Sequence, residues 1–357
     1  MLTVIIPTYR RPSLLQRALL SVISDKDSDI QVHVCDNHSE DGTKEIVANF
    51  QEKDKRIFYF ENKENIGARA NGLLGLSRVD TEQYMVLSDD DFLLPGFLKE
   101  AIKTFREHPD VRFVCAPTIH LSLIDKTFSM GCLDWSSGLH PAGVQSARRM
   151  HHSHFPTTSV VFHEEVKSRL GEFESGGSDA LYMTLAAGRF PFYVLNKPGG
   201  VFVAHAGSYT ASGSWAREDS MFLYRTMAQT MGLVNALDVP DELKGELSLL
   251  VADTYNKIFD SIRVFGYINY EEIKNPLAFS TSSIGAVGVL TRRFPAKIRK
   301  SLLQLILFAK KVAEDKALSK NKRNLSENAL DSLSGGAMDM ADFKALVDSL
   351  HLDETRK

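Results

Sequence analysis

Within residues 2–87, four short apolar runs alternate with three amphipathic stretches, and this alternation constrains the fold more than any other feature of the chain. Residues 2–6 are apolar or β-branched, and the run is expected to stop at Pro7, which has no N–H to give to a sheet ladder. Leu14, Leu15, Ala18, Leu19 and Val22 then share one side of a helix that Ser13 is placed to cap. Residues 30–35 read as a second strand, Asp41-Gly42 as a turn and residues 43–51 as a second helix. Residues 57–60, 67–76 and 84–87 supply a third strand, a third helix and a fourth strand. Such an order builds an α/β fold with a mostly parallel sheet and helices on both faces. In open sheets of this kind, ligands bind outside the carboxyl ends of the strands. Residues 8–11, 36–37 and 89–91 each directly follow a strand, so topology gathers them at one edge.

The remaining chain is less periodic. Residues 97–107 read as a helix and 112–116 as a strand, whereas 117–160 are rich in Gly, Ser and His and suggest loops and short antiparallel strands. A helix is expected over 178–187, strands over 192–195 and 200–203, and helix over most of 216–266. Residues 280–288 have the Ser/Thr/Gly composition of a linker, and no internal repeat is visible. A length of 357 residues suits one large domain with an appended region.

Composition narrows the class. Hydrophobic residues at 43% and charged residues at 24% are ordinary for a soluble globular protein. A net charge of −3 gives the whole chain no nucleic-acid footprint. Cys35, Cys115 and Cys132 are odd in number and unpaired in spacing, which is the usage of a reducing compartment. The first residues lack a basic leader, and no run approaches the roughly 20 apolar residues of a membrane crossing. A cytoplasmic protein is therefore expected.

Three segments carry chemistry. Asp89, Asp90 and Asp91 are adjacent carboxylates that repel one another, and a hard divalent ion, Mg²⁺ or Mn²⁺, would relieve that repulsion with phosphate oxygens and water completing its shell. A solvated acidic turn or a helix cap is the plain alternative. Asp36 ends the second strand, where it could accept from a nucleobase edge or a ribose, while residues 39–42 are turn chemistry and Asp41 or Thr43 suits the next helix start. Asn65-Ile66-Gly67-Ala68-Arg69 is a small-residue helix entry whose amides and positive end suit a diphosphate, or simply begin a helix.

In order, Val4-Ile5-Ile6-Pro7-Thr8-Tyr9-Arg10-Arg11, the Asp36 segment, Asn65-x-Gly67 and Ser88-Asp89-Asp90-Asp91 resemble the successive blocks of family 2 glycosyltransferases over residues 1–100. The resemblance implies the Rossmann-like GT-A fold and an inverting transferase. It would use a nucleoside-diphosphate sugar, UDP-sugars favoured, in surface polysaccharide or glycoconjugate synthesis. It further implies that Pro7, Thr8, Tyr9 and Asp36 contact the nucleoside; Arg11, Asn65, Gly67 and Arg69 are the other residues expected to bind the nucleotide-sugar. Asp89 or Asp90 would meet the ribose or sugar, and Asp91 the metal. The implied plan is a catalytic domain over 1–215, divided into a nucleotide-sugar half (1–100) and an acceptor half (101–215), with a mostly helical region over 216–357. Glu172-Phe173-Glu174 through Asp179 resembles the family's general-base block, with Asp179 first choice and Glu174 second. His205 follows a predicted strand, where related enzymes place a further metal or diphosphate ligand; it is otherwise structural.

Three further features stay open. His151, His152 and His154 match no zinc spacing and suit an acceptor-side or exposed loop. Trp135 and Trp215 could stack on a sugar or fill the core. Residues 290–323 carry Arg292, Arg293, Lys297, Arg299, Lys300, Lys310 and further basic residues around a short apolar run. They suit a helix lying on the cytoplasmic face of an anionic membrane, which fits a glycan or lipid-linked acceptor, or a packing or homo-oligomerisation helix. Two other classes compete with a transferase. A sugar-phosphate nucleotidyltransferase shares the topology, but residues 7–11 contain no glycine for its phosphate loop. A non-catalytic nucleotide-sugar-binding module is the third.

Overall fold

The computed structural model describes residues 1–26, 29–171, 179–208, 220–264, 323–324, 333 and 338–350. The chain divides into two compact units, Met1–Ser208 with Arg323–Lys357, and Tyr209–Lys322.

The first unit begins as the alternation predicts. Strands β1 (Leu2–Thr8), β2 (Ile30–Asp36), β3 (Ile57–Glu61) and β4 (Gln83–Val86) pair in parallel in the order β3-β2-β1-β4. Helices α1 (Pro12–Ile23), α2 (Thr43–Lys53) and α3 (Ala68–Ser77) connect them. The two central strands bury Leu2, Val4, Ile5, Ile6, Val32 and Val34 completely, as strands covered on both faces must. Helix α3 comes close because Gly75 has no side chain. A Cβ there would lie 2.8 Å from Ile5 Cγ2 and 3.0 Å from Cys35 Sγ.

Two local expectations change. Strand β1 runs through Pro7 to Thr8. Ile5 C=O accepts from Leu87 N–H (2.9 Å), so Ile5 faces β4, and Thr8 C=O accepts from Asn37 N–H (3.0 Å), so Thr8 faces β2. Pro7, two residues from Ile5, turns its missing donor toward β4, which has already ended at Val86. Ser13 does not cap α1. The helix starts two residues earlier at Pro12, with Arg11 at the N-cap and no side-chain cap bond, because proline at the first helical position is pre-set for the turn.

Beyond β4 come β5 (Phe92–Leu93), α4 (Phe97–Glu107), β6 (Phe113–Cys115), β7 (Thr118–Ser122), β8 (Thr127–Met130), β9 (Gly138–His140) and α5 (Val144–His152). A 3-10 turn (Thr157–Ser159) leads into β10 (Val160–His163) and α6 (Glu164–Leu170). Helix α7 (Asp179–Arg189), β11 (Phe192–Val194) and β12 (Gly200–Ala204) follow. Strand β10 enters the main sheet antiparallel to both β4 and β6, which gives the order β3-β2-β1-β4-β10-β6-β11-β9. A second sheet, β13-β8-β7-β12-β5, takes its edge strand β13 (Arg323–Asn324) from far along the chain. The stretch expected as loops and strands thus also holds α5, which hides only Ser146, Ala147 and Met150.

Residues 323–357 were expected within the helical region and instead join the first unit. Strand β13 pairs with β8, and a further helix, labelled α10 (Met340–Ser349) because two helices of the second unit precede it in the chain, buries Phe343 and Leu346. Those residues share a core with Leu20, Phe92 and Val203, so long-range apolar burial decides the boundary. Asp339 caps α10 by accepting from Ala341 and Asp342 N–H at 2.7 and 2.9 Å. Between α1, α2 and residues 338–340 lies an apolar groove of about 400 Å³ that includes none of the acidic triplet.

In the second unit, α8 (Ser220–Ala236) and α9 (Asp241–Val264) match the expected helical stretch and bury Val234, Leu247, Val251 and Tyr255. Among the described residues, no helix is long and apolar enough to cross a membrane. Glu174, Trp215, the 280–288 linker and the basic segment at 290–322 lie outside the described residues.

Candidate active site

The acidic triplet leaves β4 in a tight turn in which Asp91 N–H donates to Ser88 C=O at 3.1 Å. The three carboxylates meet three different environments. Asp89 is 4% exposed; its Oδ2 accepts from Thr8 Oγ1 at 2.8 Å and its Oδ1 from Arg11 Nη1 at 3.1 Å. Burial pushes its carboxyl up to about 6, against the lowering effect of Arg11. Asp90 is the most accessible of the three at 8%, and its Oδ2 meets Arg11 Nη1 at 3.1 Å and His205 Nε2 at 3.2 Å. Among the described residues, nothing donates to its Oδ1.

Asp91, expected to hold metal, faces inward. Its Oδ2 accepts from Thr158 Oγ1 at 2.5 Å and its Oδ1 from Val203 N–H at 2.8 Å. Thr158 precedes β10 of the main sheet and Val203 lies in β12 of the second, so this carboxylate bolts the two sheets together. Burial, with the charge of Asp90, pushes its carboxyl well above the usual range. Both oxygens already accept from protein donors.

Two arginines answer these charges. Arg11 sits at the rim, with its side chain 30% exposed and Nη2 donating to Gly207 C=O at 2.6 Å. Arg17 lies beneath, 3% exposed, donating from Nη2 to Asp90 C=O at 2.6 Å and stacking on Phe92 at 5.1 Å. Burial lowers its guanidinium to about 10, and the three aspartates pull the other way. Arg17 was missed in the sequence reading, although a charge on the apolar side of α1 was a visible signal. Thr158 gave no signal at all.

His205 lies in the cluster, its Nε2 3.2 Å from Asp90 Oδ2. Gly207 N–H approaches its Nδ1 at 3.2 Å, so Nε2 carries the proton and donates to Asp90.

The loops that follow β2 and β3 are organised by Asp36 and a chain of asparagines. Asp36 is buried, its Oδ1 accepting from Ser39 N–H and Oγ at 3.1 and 2.5 Å and its Oδ2 from Tyr59 OH at 2.6 Å. Burial raises the Tyr59 phenol far above its ordinary value. Asn37 donates to Asn65 Oδ1 at 2.8 Å and accepts from Ile66 N–H at 2.9 Å, while Asn62 bridges Asn37 and Asn71. Asn65 Oδ1 also takes Gly67 N–H at 2.9 Å, so the first amides of the expected diphosphate cradle are used within the loop. Gly67 adopts φ +88, which a side chain would resist, and Arg69 lies in the first turn of α3. Opposite, Arg10, His38 and Glu40 are all held at positive φ, and Arg10 N–H donates to Ser39 Oγ at 2.9 Å. Strain of this kind clusters where a loop shape is needed for binding. Tyr9, partly buried, lies beneath the Arg10 guanidinium at 5.2 Å.

On the other side, Asp179 opens α7 and accepts Ala180 N–H at 2.8 Å. Among the described residues, no hydrogen bond joins it to the triplet. Trp135 is core: its ring packs on Phe155 and Phe192, and Nε1 donates to Ser153 C=O at 2.7 Å. His151 and His152 end α5, and His154 C=O accepts from Cys132 Sγ at 3.2 Å. Among the described residues, no three His, Cys, Asp or Glu side chains gather in a metal-holding group.

The model for glycosyl transferase family 2 matches residues 3–154, which hold β1 through α5 and the whole acidic cluster except His205 and Gly207, together with Thr158 and Val203. Residues 3–154 are thus similar to glycosyl transferase family 2. The chain is 37% identical over 107 residues to the GalNAc(5)-diNAcBac-PP-undecaprenol beta-1,3-glucosyltransferase of Campylobacter jejuni, covering 30% of this chain and 35% of that protein. It is 30% identical over 107 residues to glycosyltransferase GlyA of Streptococcus pneumoniae, covering 30% and 15%. The match spans between 15% and 41% of the curated relatives' lengths. Among solved structures, S. aureus TarS 1-349 in complex with UDP-GlcNAc superposes with a TM-score of 0.56 at 17% identity, covering 98% of this chain and 91% of that one. That likeness is one of fold, the GT-A arrangement with its mixed sheet and C-terminal helices.

Proposed function

We propose that the protein is an inverting glycosyltransferase that moves a sugar from a nucleoside-diphosphate sugar to an acceptor hydroxyl. The observation that carries this reading is the convergence of Thr8, Arg11, Asp89, Asp90 and His205 at the carboxyl ends of β1 and β4 in a family 2 domain. UDP-sugars are the favoured donors, with the nucleoside against residues 7–9 and the loop that Asp36 shapes, and the diphosphate toward Arg11 and Arg69. The name of the C. jejuni relative, which contains PP-undecaprenol, supports a lipid-linked acceptor; surface glycan synthesis on the cytoplasmic membrane face is the role we assign to such a reaction. The proposed plan keeps 1–208 as the catalytic core, its later half facing the acceptor.

The donor set fits a hard divalent ion held sparsely by protein. Asp90 offers one oxygen that no described group occupies, and Mg²⁺ or Mn²⁺ usually takes one or two carboxylates and completes its shell with phosphate and water. Asp90 is therefore our metal ligand, with Asp89 beside the ribose or sugar and His205 orienting Asp90. A bound ion supplies neutralisation of charge on the departing diphosphate. In the displacement, the acceptor oxygen attacks the anomeric carbon opposite the leaving group while a carboxylate removes its proton. Such general-base help is typically worth about 10²–10⁴-fold. Asp179 is our choice of base.

A thermal-shift panel of UDP, GDP, CDP and dTDP, each with and without Mn²⁺, tests the reading. UDP with Mn²⁺ is expected to give the largest shift. A panel in which no nucleotide moves the transition overturns the enzyme assignment.

A further inference from the structure

Arg11 stands where an incoming cation would go. Its Nη1 lies 3.1 Å from Asp89 Oδ1 and 3.1 Å from Asp90 Oδ2, bridging the two carboxylates nearest the surface. Its other described side-chain contact, to Gly207 C=O at 2.6 Å, belongs to the same cleft. Although Arg11 is the N-cap residue of α1, its side chain makes no cap bond, so α1 does not hold it there.

The second arginine differs in one decisive respect. Arg17 is buried, bonded to the Asp90 carbonyl and packed on Phe92, and has no route out. Arg11 is 30% exposed and attached by ionic contacts that another cation can replace. The cluster thus has one fixed and one exchangeable counter-charge. Without Arg11, Asp89 and Asp90 would share a largely dry site with less compensation, which is costly for buried carboxylates. With Arg11 in place, a bare metal ion meets a positive charge already bonded to the oxygens it needs. A metal that arrives with a diphosphate brings its own negative charge, to which a guanidinium binds well.

We propose that Arg11 is the exchangeable counter-ion of the acidic loop: it holds the cation position in the free protein and turns to the diphosphate when metal and nucleotide enter together. The inference rests on the reading of Asp90 as a divalent-metal ligand. It makes metal binding conditional on the nucleotide, and by linkage nucleotide binding conditional on the metal to the same factor.

The test is Mn²⁺ titration of the full chain, with the free ion followed by electron paramagnetic resonance, with and without UDP. Wild type, Arg11→Gln and Arg11→Lys are compared. Arg11→Gln is expected to bind Mn²⁺ alone about ten-fold more tightly than wild type, and to lose about ten-fold of the enhancement that UDP confers. Arg11→Lys keeps the charge and should stay near wild type. The proposal is overturned if UDP enhances Mn²⁺ binding in wild type but Arg11→Gln binds bare Mn²⁺ no better. It is overturned without any variant if wild type takes up Mn²⁺ equally with and without UDP. A wild type that takes up no Mn²⁺ under either condition instead removes the metal reading beneath it.

Discussion

Asp90 and Asp91 are neighbours in sequence and should respond to mutation in opposite ways. Asp91→Ala strips the acceptor from Thr158 Oγ1 and Val203 N–H, both buried. Each orphaned buried donor costs about 1–3 kcal/mol, so a loss of about 2–6 kcal/mol in urea unfolding is expected. Asp90→Asn should leave the urea midpoint close to wild type but remove the Mn²⁺-dependent part of UDP binding in calorimetry. If Asp90→Asn proves the destabilising change and Asp91→Ala the one that loses Mn²⁺, the assignment is reversed. At this scale, the sequence showed what lies within one linear block. Thr8 and Asp36 end a strand and Asp89, Asp90 and His205 follow one, so each lies at a strand's carboxyl end, where open sheets bind ligands. The division of labour inside the triplet was hidden, because Thr158 reaches Asp91 across a separation of 67 residues.

Elements with long apolar periods were legible, and short or polar ones were not. The first four strands and three helices fall within about two residues of expectation, which is the usual blur of element ends. Strand β5 has two residues and β10 four, too few for an alternation to register. Helix α5 has nine residues and only three apolar ones, Val144, Ala147 and Met150, too short a stripe to stand out. The contact of α3 with the sheet gives a sharp expectation. Gly75→Ala places a methyl 2.8 Å from Ile5 Cγ2. Overpacking of this kind costs about 1–3 kcal/mol, against about 1 kcal/mol gained in helix propensity, so chemical denaturation should show a net loss or near balance and no gain. The ion pair between Arg112 and Glu165 of α6, at 2.5 Å, carries a pH signature. Its hydrogen bond holds the Glu165 carboxyl below the usual carboxylate range. The unfolded chain therefore binds more protons, so the stabilisation is present above the unfolded value of about 4.3 and disappears as pH falls through the folded one. Glu165→Gln should lower Tm near neutral pH and converge with wild type in acid. A constant difference across a Tm–pH series would falsify that origin.

At the scale of the whole molecule, the C-terminal helix α10 supports the first unit. Phe343 is 1% exposed and meets Phe92, the residue directly after the triplet, edge-on at 5.9 Å. Phe343→Ala should cost about 3–5 kcal/mol, read by urea unfolding, and should weaken UDP binding because β5 loses its backing. Composition and pattern gave no notice of this return. A two-residue strand pairing Arg323 with Phe128 of β8 and a segment that seats α10 on α1 across 322 residues are long-range contacts, and no local period encodes them.

That return makes the second unit an insert, not an appendage. The polypeptide leaves the first unit after Ser208 and re-enters it at Arg323. A single protease cut inside 209–322 would sever the covalent chain and leave the released tail threaded into its host through β13 and α10. Such a nicked protein should run as two fragments when denatured and as one particle when native, which is the behaviour of a cassette spliced into a domain that closes behind it.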